Sequence, residues 1–201
     1  MSLETCLATF AGGDEAGAEA AAKELAELAG EHPDQVLAAL QPLLTDPQAD
    51  QRWWALRTLA AVDHPGETFR SQVSSWLAQA LADPDASVRQ CAALGLRLHP
   101  EPAAIGALMH ALGDTDQLAA SLAADALAAI GSPAVPDLLE VLRIGSPSVR
   151  LRAVRALAEI RDPRAIPGLY AALDEDSALL EYWASLGLER MGVGMLLFNP
   201  G

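Results

Sequence analysis

The chain has 201 residues, 51% of them hydrophobic but only 4% aromatic, and a formal charge of −14 from 27 acidic against 13 basic residues. That acid excess favours solubility and opposes general binding to nucleic acid or to anionic membranes. No apolar run reaches the about 18 residues that a membrane span needs, and Met1-Ser2-Leu3-Glu4 lacks the basic and apolar regions of a signal peptide.

Residues 3–10 place Leu3, Cys6, Leu7 and Phe10 on one face of a short first helix, which Ala11-Gly12-Gly13 breaks. Asp14 is placed to cap a second helix, with Glu15 in its acid-favouring first turn. That helix is expected to run to Ala29 and to end at Gly30. The two cysteines, Cys6 and Cys91, are far apart in sequence, which fits a reduced, cytoplasmic protein better than a disulfide scaffold.

From Leu44 onward one pattern returns. A leucine precedes an alanine by 11 positions at Leu44/Ala55, Leu81/Ala92, Leu112/Ala123, Leu142/Ala153 and Leu173/Ala184, with a fainter copy at Phe10/Ala21. Four residues after each alanine stand Leu25, Leu59, Leu96, Leu127, Leu157 and Leu188. The leading positions are spaced by 34, 37, 31, 30 and 31 residues. Self-similarity at a period of about 20–50 residues signals a solenoid, whose units bury their apolar stripes against one another. The stripes Ile105-Leu108-Leu112, Val135-Leu138-Leu142 and Ile166-Leu169-Leu173 mark the first helix of a pair, and the alanine stripe marks the second. Breakers lie between them at Asp46-Pro47, Asp83-Pro84, Gly113-Asp114, Gly145-Ser146-Pro147 and Asp174-Glu175-Asp176.

Pro33, Pro102, Pro136 and Pro167 fall near the starts of first helices, where the missing N–H costs little. Pro42 falls near a helix end and predicts a bend there. The 37-residue spacing comes from a longer connection around residues 63–68. The tail 193–201, apolar and broken by glycine, is suited to cap the last repeat. The expected fold is therefore all-α, a right-handed α-solenoid of about six helix pairs. We read a single domain over 1–201: a degenerate N-terminal repeat at 1–30, repeats at about 33–63, 67–100, 101–131, 132–162 and 163–192, and the cap.

The segments Asp83-Pro84-Asp85-Ala86-Ser87-Val88-Arg89-Gln90-Cys91-Ala92-Ala93-Leu94 and Ala165-Ile166-Pro167-Gly168-Leu169-Tyr170-Ala171-Ala172-Leu173 resemble HEAT repeats, in particular the short bacterial type called phycobilisome-lyase HEAT-like repeats. The resemblance implies scaffolding, chromophore-lyase or chaperone-like roles. It also implies that Asp46, Arg52, Asp83, Arg89 and Arg150 bond between neighbouring repeats, and that the second helices line a concave surface. Ala120 and Glu181 stand where the arginine would be in repeats four and six, so that ladder is incomplete.

No metal-ligand spacing links His32, His64, His99 and His110, and no nucleophile elbow, phosphate loop or paired-cysteine motif occurs. His99 stands where other repeats carry Val62, Ile130, Ile160 and Met191, and reads as a core or helix-end histidine. No cofactor and no metal is expected. On each second helix the positions −2, +2 and +5 from the alanine point away from the buried stripe at about 100° per residue. They include Trp53, Arg57, Leu94, Arg97, Leu151, Arg155, Tyr182 and Leu186, large apolar and cationic side chains on a face that solvent alone would not require. These eight are the expected partner-binding residues, on the concave face.

The first reading is a non-catalytic scaffold that binds a protein partner offering carboxylate and apolar groups. The alternative is a bilin lyase subunit or a phycobiliprotein chaperone-like factor, with arginines facing chromophore propionates. A third, a HEAT-like DNA-repair glycosylase, rests on Trp53, Trp54 and Asp125, and the charge of −14 opposes it.

Overall fold

A computed structural model describes residues 3–12, 14–63 and 66–193. Among these residues every regular element is helical, so the chain is an all-α helical-repeat protein. They cluster into two compact units, Met1–Ala104 and Ile105–Gly201. His64 and Pro65 of the long connection, and the tail after Val193, lie outside the described residues.

Unit 1 contains α1 (Leu3–Gly12), α2 (Glu15–Glu31), α3 (Pro33–Leu40), α4 (Ala49–Ala61), α5 (Glu67–Ala80) and α6 (Ala86–Leu98). Asp14 caps α2, its Oδ1 accepting from the Gly17 N–H at 2.6 Å. Contrary to expectation, Gly30 does not end α2: the helix runs to Glu31 and His32 closes it. Past Leu40, where Pro42 follows, α3 tightens into a 3-10 turn over Gln41–Thr45.

Unit 2 contains α7 (Ile105–Ala111), α8 (Gln117–Ile130), α9 (Val135–Ile144), α10 (Pro147–Ile160), α11 (Ile166–Leu173) and α12 (Ala178–Arg190). Pro102 and Pro163 open 3-10 turns that precede α7 and α11, and Pro136 sits in the first turn of α9. Among the described residues no single helix is long and apolar enough to cross a membrane.

The alanine column is the floor of both cores. Ala21, Ala55, Ala92, Ala123, Ala153 and Ala184 are each 0% exposed. The leucines four positions on are equally enclosed, and the largest fully buried side chains are all leucines. Each buried leucine contributes about 1.5–3 kcal/mol relative to exposure, so a core poor in aromatics is still well supplied.

Second helices approach closely through small residues. A Cβ on Gly95 would come within 3.2 Å of the Ala60 Cβ, and one on Gly187 within 2.9 Å of both Ala158 Cα and Cβ. In register these are the same contact, a residue at +3 against a residue at +5 of the preceding repeat. The expectation that position +5 faces outward is therefore corrected at Ala60 and Ala158. Both are buried because the next helix sits on them.

Candidate functional site

Two polar systems run along the repeats. The first lies in the turns. Arg52 donates from Nε and Nη2 to the two Asp83 carboxylate oxygens at 2.7 and 2.8 Å, and from Nη1 to the Asp46 carbonyl at 2.8 Å. The side chains of this pair are only 11% and 9% exposed. The Asp46 carboxylate accepts from the Gln48 N–H at 2.8 Å and so shapes its own turn. Arg89 donates to the Asp83 and Pro84 carbonyls, the same intra-turn bonds one repeat later. Arg150 donates to the Leu142 carbonyl at 2.6 Å and pairs with Glu175. Glu175 stands two residues after Leu173, as Asp83 stands two after Leu81, so counting from the leading leucine would have found it.

Repeat four breaks this order. It carries Ala120 where the arginine belongs, and repeat five carries Ile144, 62% exposed, where the acid belongs. Arg152 ties these two repeats instead. It is 8% exposed and donates to the Leu112 carbonyl at 3.0 Å and to Gln117 Oε1 at 2.6 Å. Its position, one before the column alanine, gives no sign of this in the sequence.

The second system is the outward columns of the second helices. In unit 1, Arg57 donates to Glu19 of α2 at 2.8 Å, a surface pair with side chains 36% and 53% exposed. Trp53 is half-buried. It meets Trp54 edge-on at 4.8 Å, and Trp54 stacks on Phe10 at 5.7 Å. On α6, Leu94 is 39% and Leu98 57% exposed, and Arg97 between them is exposed with no ion-pair partner among the described residues. In unit 2, Leu151 and Leu186 are half-buried, and Tyr182 is 58% exposed with its ring edge-on to Trp183. Arg155 is bonded to Asp125, so each compensates the charge of the other. Tyr182 and Leu186 share a shallow recess whose margin includes Glu181 and Glu189.

Free chemistry is sparse. Burial pushes the Cys91 thiol up to about 12, so its thiolate is scarce at neutral pH. His99 closes α6 and bonds through Nε2 to the Ala60 carbonyl at 3.0 Å, joining the ends of α4 and α6. Among the described residues no cluster of three or more His, Cys, Asp or Glu side chains could hold a metal ion.

The repeat register and the paired helices agree with a known sequence pattern. That of HEAT repeats matches residues 73–146 and 121–189, together more than half of the chain. The chain belongs to the HEAT-repeat family. Among curated relatives, phycocyanobilin lyase subunit beta of Pseudanabaena tenuis (strain PCC 7409) is 41% identical over 76 residues, 38% of this chain and 27% of that protein. Bilin biosynthesis protein RpcF of Synechococcus sp. (strain WH8020) is 44% identical over 75 residues, 37% of this chain and 36% of that protein. The chain thus spans less than half the length of either relative. Among solved structures, this HEAT-repeat chain is similar to the complex of CpcE and CpcF of phycocyanin lyase from Nostoc sp. PCC7120, with a TM-score of 0.53 and 22% identity over 96% of this chain and 77% of that one. That likeness concerns the fold alone.

Proposed function

We propose that this HEAT-repeat chain is a non-catalytic protein-binding module. Its primary contact is the α6 face of unit 1, where Arg97 stands exposed between Leu94 and Leu98. The observation that carries the reading is that cation. Most arginines of the second helices are consumed within the fold: Arg52 by Asp83, Arg57 by Glu19, Arg150 by Glu175, Arg155 by Asp125. Arg97 has no such acid among the described residues and is flanked by apolar side chains that folding leaves in water. A partner segment offering a carboxylate beside apolar groups complements it. Tyr182 with Leu186 is a second contact, of different chemistry because Glu181 and Glu189 stand beside it.

The test is capture of partners by the tagged chain from its native lysate, with Arg97→Glu and Tyr182→Ala variants. Both side chains are exposed, so melting temperatures should stay within about 1–2 °C of the parent, as for surface changes within ±0.5 kcal/mol. Arg97→Glu should lose specific partners. If both variants capture every partner as the parent does, neither face is the site.

A second reading is a subunit of a bilin lyase or a chaperone-like factor for a phycobiliprotein. The names of the two relatives favour it. In that reading Arg97 is the cation best placed for a chromophore propionate, since Arg57 and Arg155 are already bonded. Incubating the chain with bilin, an apo-phycobiliprotein and a second lyase subunit separates the readings. Covalent visible absorbance on the acceptor that requires this chain supports the lyase reading. Its absence, with partner capture retained, supports the scaffold.

A further inference from the structure

A cavity of about 330 Å³ opens in unit 1 between the 3-10 turn Gln41–Thr45 and α5. Leu44, Leu56 and Val88 line it, and the half-buried Trp76 forms part of its wall. Gln41 and Gln79 stand at its exposed margin. Asp83 also borders it, but Arg52 and the Asp85 N–H already occupy both carboxylate oxygens.

Repeat packing does not call for this hollow, because the same register in unit 2 is closed. Three positions before the leading leucine, repeats four to six carry Met109, Leu139 and Tyr170, and repeat two carries Gln41. Five positions before it, repeats four to six carry Ala107, Asp137 and Gly168, and repeat three carries Trp76. Leu139 packs directly over Gly168: a Cβ added to that glycine would lie 2.5 Å from Leu139 Cδ2. In unit 1 the leucine that fills the space is replaced by an amide that stays in solvent, and the facing glycine by an indole. The turn before it is tightened at Pro42. An unfilled space of this size forfeits dispersion contacts along its whole lining.

The lining decides what can fill it. The volume is roughly twice the about 150 Å³ in which an apolar cavity holds one benzene ring, so a two-ring body fits. An aromatic body gains an offset or edge contact with the Trp76 ring. Charge is selected against. Asp83 is compensated by Arg52, and no other charged side chain lines the cavity, so an ion would lose hydration without a partner. The Trp76 N–H, the Gln41 amide and the Gln79 side-chain carbonyl make no hydrogen bond among the described residues, while the Gln79 amide nitrogen donates to Ser75 at 3.3 Å. Those groups suit a ligand with one polar edge.

We propose that this cavity binds a free, neutral aromatic molecule of about two fused rings that carries a hydroxyl or amide group. The site shares no residue with the α6 and α12 contacts, and its failure would leave the reading of those faces intact.

The test follows the four indole N–H resonances of the full chain by NMR while two probes are titrated: 2-naphthol, neutral at pH 7, and 2-naphthoate, its anionic counterpart. With 2-naphthol, Trp76 should shift saturably, and Trp53, Trp54 and Trp183 should stay unmoved. The anion should bind far more weakly. Gln41→Leu restores the side chain that closes the unit 2 register. Gln41 is exposed, so this variant should melt no lower than the parent, and filling the hollow should weaken 2-naphthol binding by about tenfold or more. No saturable shift of Trp76, equal movement of all four indoles, equal affinity for the anion, or unchanged affinity in a folded Gln41→Leu would each overturn the proposal. If Gln41→Leu melts lower than the parent, Ala80→Leu, on the opposite wall, makes the same test, and unchanged affinity there overturns the proposal equally.

Discussion

Gly187→Ala tests the packing rule that joins the second helices. Gly187 lies inside α12, and an added Cβ would stand 2.9 Å from both Ala158 Cα and Cβ and 3.0 Å from Leu169 Cδ1, where ordinary contact begins at 3.4 Å. The Leu169 methyl can rotate away, but Ala158 Cα belongs to the α10 backbone. Relief therefore requires α10 and α12 to separate by about half an ångström. Overpacking of that kind costs about 1–3 kcal/mol. Replacing a mid-helix glycine by alanine returns about 0.8–1.0 kcal/mol. Because the obstacle is backbone, the cost should fall in the upper part of its range, leaving a net loss of about 1–2 kcal/mol.

The control is Gly30→Ala in α2. Gly30 is helical and exposed, and a Cβ added there would meet nothing within 4 Å, so only the propensity gain remains. The two variants should move in opposite directions in a thermal melt followed by far-UV circular dichroism. At about 2–4 °C per kcal/mol for a chain of this size, Gly187→Ala should melt several degrees below the parent and Gly30→Ala slightly above it. If Gly187→Ala melts as high as Gly30→Ala, the +3 to +5 contact is not tight and the account of position +5 fails.

Further expectations concern the core and the turns. Ala123→Leu or Ala153→Leu should destabilise by about 1–3 kcal/mol through overpacking, because both sites are 0% exposed; a melt unchanged within error would refute it. Arg52→Ala should cost about 2–4 kcal/mol in a urea titration, since it strands the enclosed Asp83 carboxylate and two carbonyls of its own turn; a loss below about 0.5 kcal/mol, the scale of an exposed pair, would show the bridge to be ornamental. Asp162 accepts from the Arg164 side chain and N–H, and the Arg164 guanidinium first of all holds it below the usual carboxylate range. Its stabilising contribution is complete above the unfolded value of about 3.9 and is lost as pH falls through the lower folded value. Asp162→Asn should therefore melt lower than the parent at neutral pH, with the deficit closing in acid; a deficit that does not change with pH contradicts the linkage.

The parts of the fold that depend on one helix at a time are legible in the sequence. The alanine and leucine columns follow from the 3.6-residue period, which fixes one buried stripe regardless of what lies opposite. Asp14 as a cap and the break near Pro42 follow from local backbone chemistry. What depends on the distance between helices is not legible. Position +5 is outward by helical phase, yet Ala60 and Ala158 are covered because the following helix brings Gly95 or Gly187 against them. In the sequence Arg57, Arg97 and Arg155 read alike, as cationic members of a partner-binding face. Arg57 with Glu19 and Arg155 with Asp125 are 38 and 30 residues apart, and no intra-helix rule connects them. Helical phase alone puts Trp53 on an open face. It is half-buried beside Phe10 and Trp54 because α1 packs against α4 in the first repeat only.

The turn bridges obey a stricter logic than the outward columns. An arginine at position −3 of one repeat serves an acid two residues after the leading leucine of the next, as in Arg52 with Asp83 and Arg150 with Glu175. Losing one member of such an enclosed pair leaves an uncompensated charge, which costs far more than losing both. Between repeats four and five both are gone together, replaced by Ala120 and Ile144. That joint absence leaves no stranded charge, and its visible cost is the exposure of Ile144. The polar tie is then remade from the other side by Arg152, whose guanidinium reaches back to the Leu112 carbonyl and Gln117. A carbonyl and an amide do not need a carboxylate's charge partner, so the join tolerates the change of ligand. Between repeats four and five the bridge is thus replaced as one unit, which explains how the arginine column can vary there while the two repeats remain joined.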